Sequence, residues 1–102
     1  MEYVTSAQVA QLQSEGKKLL VQYTADWCSP CKALTPRLSN LSNKYSDITF
    51  VKVNVDENMD ASLDMGIRSV PTVMIFDGNK LVDRTQGVQS NTHYKEVLNK
   101  LL

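Results

Sequence analysis

Short apolar runs alternate along the chain with segments whose apolar residues recur every three or four positions. Leu19-Leu20-Val21-Gln22-Tyr23, Ile48 to Val55 and Thr72 to Phe76 have strand length and favour β-branched and aromatic residues, so each predicts a buried strand. Between the first two, Leu34, Leu38, Leu41 and Tyr45 fall at helical spacing, which predicts a helix with one buried face. Pro30 suits its first turn, and Pro36, inside the pattern, predicts a kink. Thr5 and Gln8 have capping-box spacing, predicting a short helix to about Ser14 that Gly16 closes. Asn58 to Met65 predicts another, ended by Gly66. Asp77-Gly78-Asn79 is a hairpin turn signal, with Lys80 to Thr85 as the returning strand. Tyr94, Val97, Leu98 and Leu101 mark an amphipathic last helix. Tyr3-Val4 is a candidate first strand.

Strands separated by helices imply parallel pairing, and a terminal hairpin adds an antiparallel edge. The expected fold class is therefore α/β: a central mixed β-sheet flanked by helices on both faces. The 102 residues suit one domain spanning 1–102, long enough to bury a core without metal or disulfide staples. A hydrophobic fraction of 42% and a charged fraction of 22% are those of an ordinary globule.

Charge narrows the choice of partners. Lys+Arg and Asp+Glu both number 11, so nothing in the balance argues for nucleic acid or a membrane surface. Neutrality fits a protein that meets other proteins through a partly apolar patch. No apolar run approaches the roughly 20 residues that span a bilayer. The first residues lack the basic start and apolar stretch of a signal peptide, so the expected location is cytoplasmic, where disulfides are mostly transient and catalytic. We expect a monomer.

Chemistry concentrates in Ala25-Asp26-Trp27-Cys28-Ser29-Pro30-Cys31-Lys32. Two cysteines with two residues between them, at a strand-to-helix junction, can close a small disulfide. Cys28 would sit just before the first helical turn, where free N–H groups and the positive end of the helix dipole stabilise a thiolate. That makes Cys28 the candidate nucleophile towards a substrate disulfide, and Cys31, one turn deeper, the candidate resolving thiol. Pro30 presets the backbone for the helix start. Zinc wants four ligands, and beyond these two cysteines only His93 is a further soft candidate, so no metal is expected. A purely structural bridge would close too small a loop to stabilise much.

The run Trp27-Cys28-Ser29-Pro30-Cys31-Lys32 followed by Pro36 resembles the WCGPCK motif and helix proline of the thioredoxin family. Lys52-Val53-Asn54-Val55-Asp56, Gly66-Ile67-Arg68-Ser69-Val70-Pro71-Thr72 and Gly87 follow in family order and spacing, so the resemblance covers nearly the whole chain. It implies the thioredoxin fold and a protein-disulfide reductase that binds no cofactor. The electrons would come from a thioredoxin reductase, and the partners would be disulfide-containing proteins. The same fold also serves more oxidising oxidases and isomerases, and thioredoxin-type accessory binding subunits. The resemblance further implies a cis Val70–Pro71 bond facing the cysteines. Trp27, Ser29, Val55, Val70, Pro71, Gly87 and Val88 would form an apolar rim around an exposed Cys28 sulfur, leaving a backbone edge for an extended substrate.

Three positions depart from the family pattern. Gln22 stands where a buried Asp is usual, and an amide cannot act as a general base. Lys52, the usual partner of that carboxylate, loses its counter-charge and could tune the thiols electrostatically. Ser29 replaces Gly; its hydroxyl either donates to a nearby thiolate, making the couple more oxidising, or faces solvent without effect. Thr24 replaces a common second Trp. Elsewhere, His93 is expected as a solvated surface residue, Asp26 and Lys32 as exposed flanking charges, and Met59, Met65 and Met74 as core filler.

Overall fold

Side-chain alternation along the central strand divides the core in two. The computed structural model describes residues 1–102. In chain order the elements are β1 (Glu2–Tyr3), α1 (Ser6–Ser14), β2 (Lys18–Thr24), α2 (Ser29–Ser42), β3 (Ile48–Asn54), α3 (Met59–Asp64), β4 (Thr72–Asp77), β5 (Lys80–Gln86) and α4 (Asn91–Asn99). The sheet order is β1-β3-β2-β4-β5. β3 runs parallel to β1 and β2, whereas β4 is antiparallel to β2 and β5, so the sheet is mixed as expected.

Leu20 of β2 points to one face of the sheet, with Phe50, Val73 and Ile75. There α2 (Leu34, Leu38, Leu41) and α4 (Tyr94, Val97, Leu98) cover it. Leu19, Val21 and Tyr23 point to the other face, with Val51, Val53, Met74 and Phe76, under Val9 of α1 and Ile67 beyond α3. Period-2 alternation in a doubly covered strand leaves no polar side to read, which is why β2 is apolar on both faces. Each buried leucine under α2 contributes about 1.5–3 kcal/mol relative to its exposed state. Gln22 shares the α2 face with Leu20, and this places its amide under the cysteine motif.

The element boundaries move slightly for local reasons. The capping box is present: Gln8 N–H donates to the Thr5 hydroxyl (3.1 Å) and Thr5 N–H to Gln8 Oε1 (2.8 Å). β1 is Glu2–Tyr3 rather than Tyr3-Val4, although Val4 N–H still donates to Lys52 O (2.9 Å). β2 reaches Thr24, whose carbonyl accepts from Val55 N–H at 2.9 Å. The long helix runs unbroken through Pro36 and ends at Ser42; Tyr45 packs from the turn beyond it. Pro36 and Lys32, whose carbonyl loses its helical donor there, are both exposed, so solvent can satisfy it. The hairpin turns at Gly78-Asn79, where Gly78 has φ +59° and donates its N–H to Lys17 O (2.9 Å).

Two expectations about single residues fail. Met59 does not fill the core: as the first residue of the six-residue α3 it is 56% exposed. His93 is not simply solvated. α4 lies beside β5, and His93 Nε2 is 2.9 Å from Asp83 Oδ2. Met65 and Met74 do pack with the second core cluster.

Candidate functional site

Beyond Thr24 the chain leaves the sheet and turns through Ala25-Asp26-Trp27, with Cys28 N–H donating to Ala25 O at 3.2 Å. Cys28 is the N-cap of α2, and Pro30 is its second residue. The Cys28 sulfur takes the place of the oxygen that usually caps a helix, accepting the N–H of Cys31 at 3.2 Å. The two cysteines are joined as a disulfide, Cα atoms 5.3 Å apart. Cys31 lies fully buried. Cys28 is only 3% exposed, so the expectation of an exposed sulfur is corrected: Ala25, Val55 and Val70 close around it. A thiolate formed there keeps an aligned backbone donor and the helix N-terminal field, both of which favour the charged form.

One side of the disulfide is apolar. Val70–Pro71 is cis, as the resemblance implied. The Val70 carbonyl oxygen is 3.6 Å from Cys28 Sγ, a contact that becomes a hydrogen bond only when that sulfur carries a proton. Neither the N–H nor the C=O of Val70 is used by a backbone hydrogen bond, whereas the Pro71 carbonyl accepts from Gly87 N–H at 2.8 Å, setting Gly87 and Val88 next to Pro71. Val88 is exposed and Pro71 is buried. The Trp27 ring is 70% exposed and anchored by its Nε1–H to Asp56 Oδ2 at 2.9 Å. Between that ring and α3 runs a groove of about 130 Å³, walled by Val55, Met59, Leu63, Ile67 and Val70. Ser29 is exposed, and its hydroxyl makes no hydrogen bond to either sulfur in this disulfide state.

The opposite side is polar. Gln22, fully buried, sits in register between Lys52 and Val73. Its Nε2–H donates to the Cys31 carbonyl (3.3 Å), and its Oε1 accepts from the Thr35 hydroxyl (3.1 Å). The same hydroxyl is 3.0 Å from the Cys31 carbonyl. Lys52 does not approach the cysteines directly; its ammonium lies 4.1 Å over the ring centroid of Tyr3. A polar crevice of about 260 Å³ opens here, lined by Tyr3, Asp26, Lys32, Thr35 and Lys52, with Thr24 at its inner wall.

Thr35 was not singled out from sequence, and Asp56 was named there only as the end of a family motif, without a role. Thr35 carried a readable signal: it lies one helical turn beyond Cys31, on the same helix face. Asp56, which anchors Trp27, has no local signal, because the contact joins segments 29 residues apart. No three of the chain's His, Cys, Asp and Glu side chains cluster closely enough to hold a metal ion.

A two-cysteine disulfide capping the helix that follows the central strand of a mixed α/β sheet defines a dithiol–disulfide oxidoreductase. The sequence profile of the family described as Thioredoxin matches residues 2–100. The chain is similar to a thioredoxin of Mycoplasmoides gallisepticum, at 39% identity over 99 residues, covering 96% of this chain and 99% of that one. Among solved structures it is similar to a thioredoxin of Fasciola hepatica (TM-score 0.87, 29% identity, 98% of each chain). A Plasmodium falciparum thioredoxin superposes with a TM-score of 0.88 at 27% identity over 100% of each chain. The chain belongs to the thioredoxin family. Its activity is thioredoxin-type disulfide reduction, in which the Cys28/Cys31 pair cycles between dithiol and disulfide.

Proposed function

We propose that Cys28 is the attacking thiolate and Cys31 the resolving thiol in the reduction of protein disulfides. The observation that carries this assignment is the Cys31 N–H aimed at Cys28 Sγ at the N-terminus of α2. It stabilises negative charge on Cys28 and has no counterpart at Cys31. Cys28 attacks one substrate sulfur and forms a mixed disulfide, and the other substrate sulfur leaves as thiolate. Cys31 then attacks Cys28, releases the second substrate thiol and restores the bridge seen here. The substrate lies as an extended segment across Trp27, Val55, Val70, Pro71, Gly87 and Val88, with the unused N–H and C=O of Val70 as its backbone partners.

Electrons return to Cys28–Cys31 from a thioredoxin reductase, and the protein works as a cytoplasmic monomer. A reducing compartment suits a dithiol that must be regenerated after each turnover. No helix is long and apolar enough to cross a membrane.

Cys31→Ser tests the assignment. The variant should accumulate a stable mixed disulfide through Cys28 with a disulfide substrate, seen by mass spectrometry and released by dithiothreitol. If the adduct forms only in Cys28→Ser, the roles are reversed. A reduction potential near the approximately −270 mV established for thioredoxin fits the reductase direction, and one near −180 to −120 mV would point to oxidation or isomerisation instead.

A further inference from the structure

The 4 methionines of the chain sit in unlike surroundings, and one of them adjoins the site. Met74 lies in the sheet core and is 2% exposed. Met65 is half-buried in the same cluster, and its sulfur accepts the Tyr23 hydroxyl at 3.2 Å, which engages a lone pair that an oxidant would need. Met1 is half-buried and packs against the first core cluster. Met59 opens α3 and is 56% exposed.

Met59 also walls the groove beside Trp27, together with Val55, Leu63, Ile67 and Val70. Trp27, Val55 and Val70 belong to the rim as well, so the groove continues the face on which substrate lies. A thioether is apolar and adaptable, which suits a wall that must receive varied side chains. A methionine sulfoxide is polar and chiral. An apolar side chain laid against it would strip water from the S=O oxygen without returning a hydrogen bond, and that disfavours docking.

We propose that Met59 is an oxidation site: hydrogen peroxide converts its thioether to the sulfoxide, and the polar wall that results weakens docking of protein disulfides while leaving the cysteine chemistry as it was. The inference rests on the reading that substrate docks on the rim at Trp27. The step balances. A lone pair of the Met59 sulfur attacks one peroxide oxygen and the O–O bond breaks. The sulfur keeps that oxygen, and the other leaves as water with both peroxide protons. Met59 loses two electrons and the peroxide gains them. Cys28 and Cys31 take no part, because in the disulfide neither sulfur is a thiolate. Sulfoxide reductases, one for each epimer, can reverse the change.

The test starts from the full-length disulfide form, in which the cysteines are protected. It is treated with dilute hydrogen peroxide, and the excess is removed with catalase. Peptide mapping by mass spectrometry should find the gain of one oxygen atom on Met59 before Met1, Met65 or Met74. In the insulin assay with dithiothreitol, KM of the singly oxidised protein should rise about fivefold. Its kcat, and its rate with a small aromatic disulfide, should not change. The two epimer-specific sulfoxide reductases should return KM to its starting value. Met59→Leu should keep its own KM through the same peroxide treatment. The proposal is overturned if another methionine oxidises first, if Met59 sulfoxide leaves KM in place, if the small disulfide is slowed equally, or if treated Met59→Leu loses affinity as the parent does. Trp27→Ala distinguishes this from failure of the docking reading. If Trp27→Ala raises KM and the sulfoxide does not, the proposal alone falls. If neither raises KM, the docking reading falls and the proposal with it.

Discussion

Two faces of one disulfide meet at Cys28–Cys31, and they are built from opposite materials. The rim face offers Trp27, Val55, Val70, Pro71 and Val88, with only unpaired backbone as its polar component. The crevice face offers Thr35, Asp26, Lys32 and Lys52, with Gln22 fully buried behind Thr35. An apolar face with a free backbone edge suits many extended partners, because it gains affinity from contact area and main-chain pairing rather than from particular side chains. A polar, solvent-open face offers charge and water instead. The division follows from strand alternation: Gln22 and Tyr23 are neighbours in β2, yet their side chains lie on opposite sides of the sheet.

The largest expected effect tests whether the two sulfurs are as different as the two faces. Cys28→Ser should lower disulfide-reductase turnover by about three orders of magnitude or more, since it removes the nucleophile itself. Insulin reduction with dithiothreitol measures it. Residual activity within about tenfold of the parent would mean that Cys31 can attack from its buried place, and the contrast between the sulfurs would be lost.

Next, Gln22→Asp places an ionisable group on the crevice face. At a fully buried position, desolvation holds the introduced carboxyl above its unfolded value of about 3.9. The unfolded chain then gives up its proton first as pH rises. The variant should therefore match its best stability below about pH 4 and lose stability as pH rises through the window between the two values, by about 2–4 kcal/mol once the window is passed. Urea unfolding at pH 4 and pH 8 checks this. Equal stability at both would show that the site is wetter than its burial implies. The pH profile of disulfide reduction should also acquire a new titration, because the variant now has a carboxyl group against Cys31.

How legible these faces were in the sequence differs with the range of the interaction. The strand runs, the capping box at Thr5, the turn at Gly78 and the cysteine spacing are local signals, and the elements follow them within one to three residues. The rim was reached only through family resemblance: nothing in the spacing of Val55, Val70 and Gly87 says that they converge. Met59 misled because methionine commonly fills core gaps, whereas here it opens α3 and walls the groove beside Trp27. His93 misled because its partner, Asp83, sits on another element ten residues earlier. Gln22 was visible as a departure, but its hydrogen bonds to Thr35 and Cys31 depend on how α2 lies over β2.

Tyr23 gives the matching test on the other side of β2. Its hydroxyl donates to Met65 Sδ at 3.2 Å. Burial pushes its phenol up to about 12, against the smaller opposing effect of the Arg84 charge. The phenol is neutral in both states below pH 10, so its full contribution is present there. Above pH 10 the unfolded chain ionises first, and stability falls until about pH 12, by up to about 2.7 kcal/mol. Tyr23→Phe should flatten that alkaline decline, measured as the urea midpoint between pH 9 and pH 11.5. A decline as steep as the parent's would assign it to other groups.

Trp27→Ala then probes the rim alone. The ring is exposed, so folding should change little, while KM for a protein disulfide should rise about tenfold, the loss expected of an exposed aromatic contact. The rate with a small aromatic disulfide, which does not reach across the rim, should stay unchanged. An equal loss with the small disulfide would mean that Trp27 acts on the cysteines themselves and not through the rim.

Ser29→Gly has the smallest expected effect and decides between two readings of one hydroxyl. The side chain is exposed and makes no hydrogen bond to either sulfur in the disulfide state. In the dithiol state the thiolate proposed at Cys28 lies next to it in sequence, and a free hydroxyl rotor can turn to donate. A solvent-exposed hydrogen bond of that kind nets about 0.5 kcal/mol, and 30 mV corresponds to about 1.4 kcal/mol for this two-electron couple. Removing the hydroxyl should therefore lower the reduction potential by about 10 mV, read by equilibration against a glutathione series and mass-shift alkylation. A potential unchanged or raised leaves Ser29 as a solvent-facing residue, and the stabilisation of the Cys28 thiolate then rests on the Cys31 N–H and the helix N-terminus.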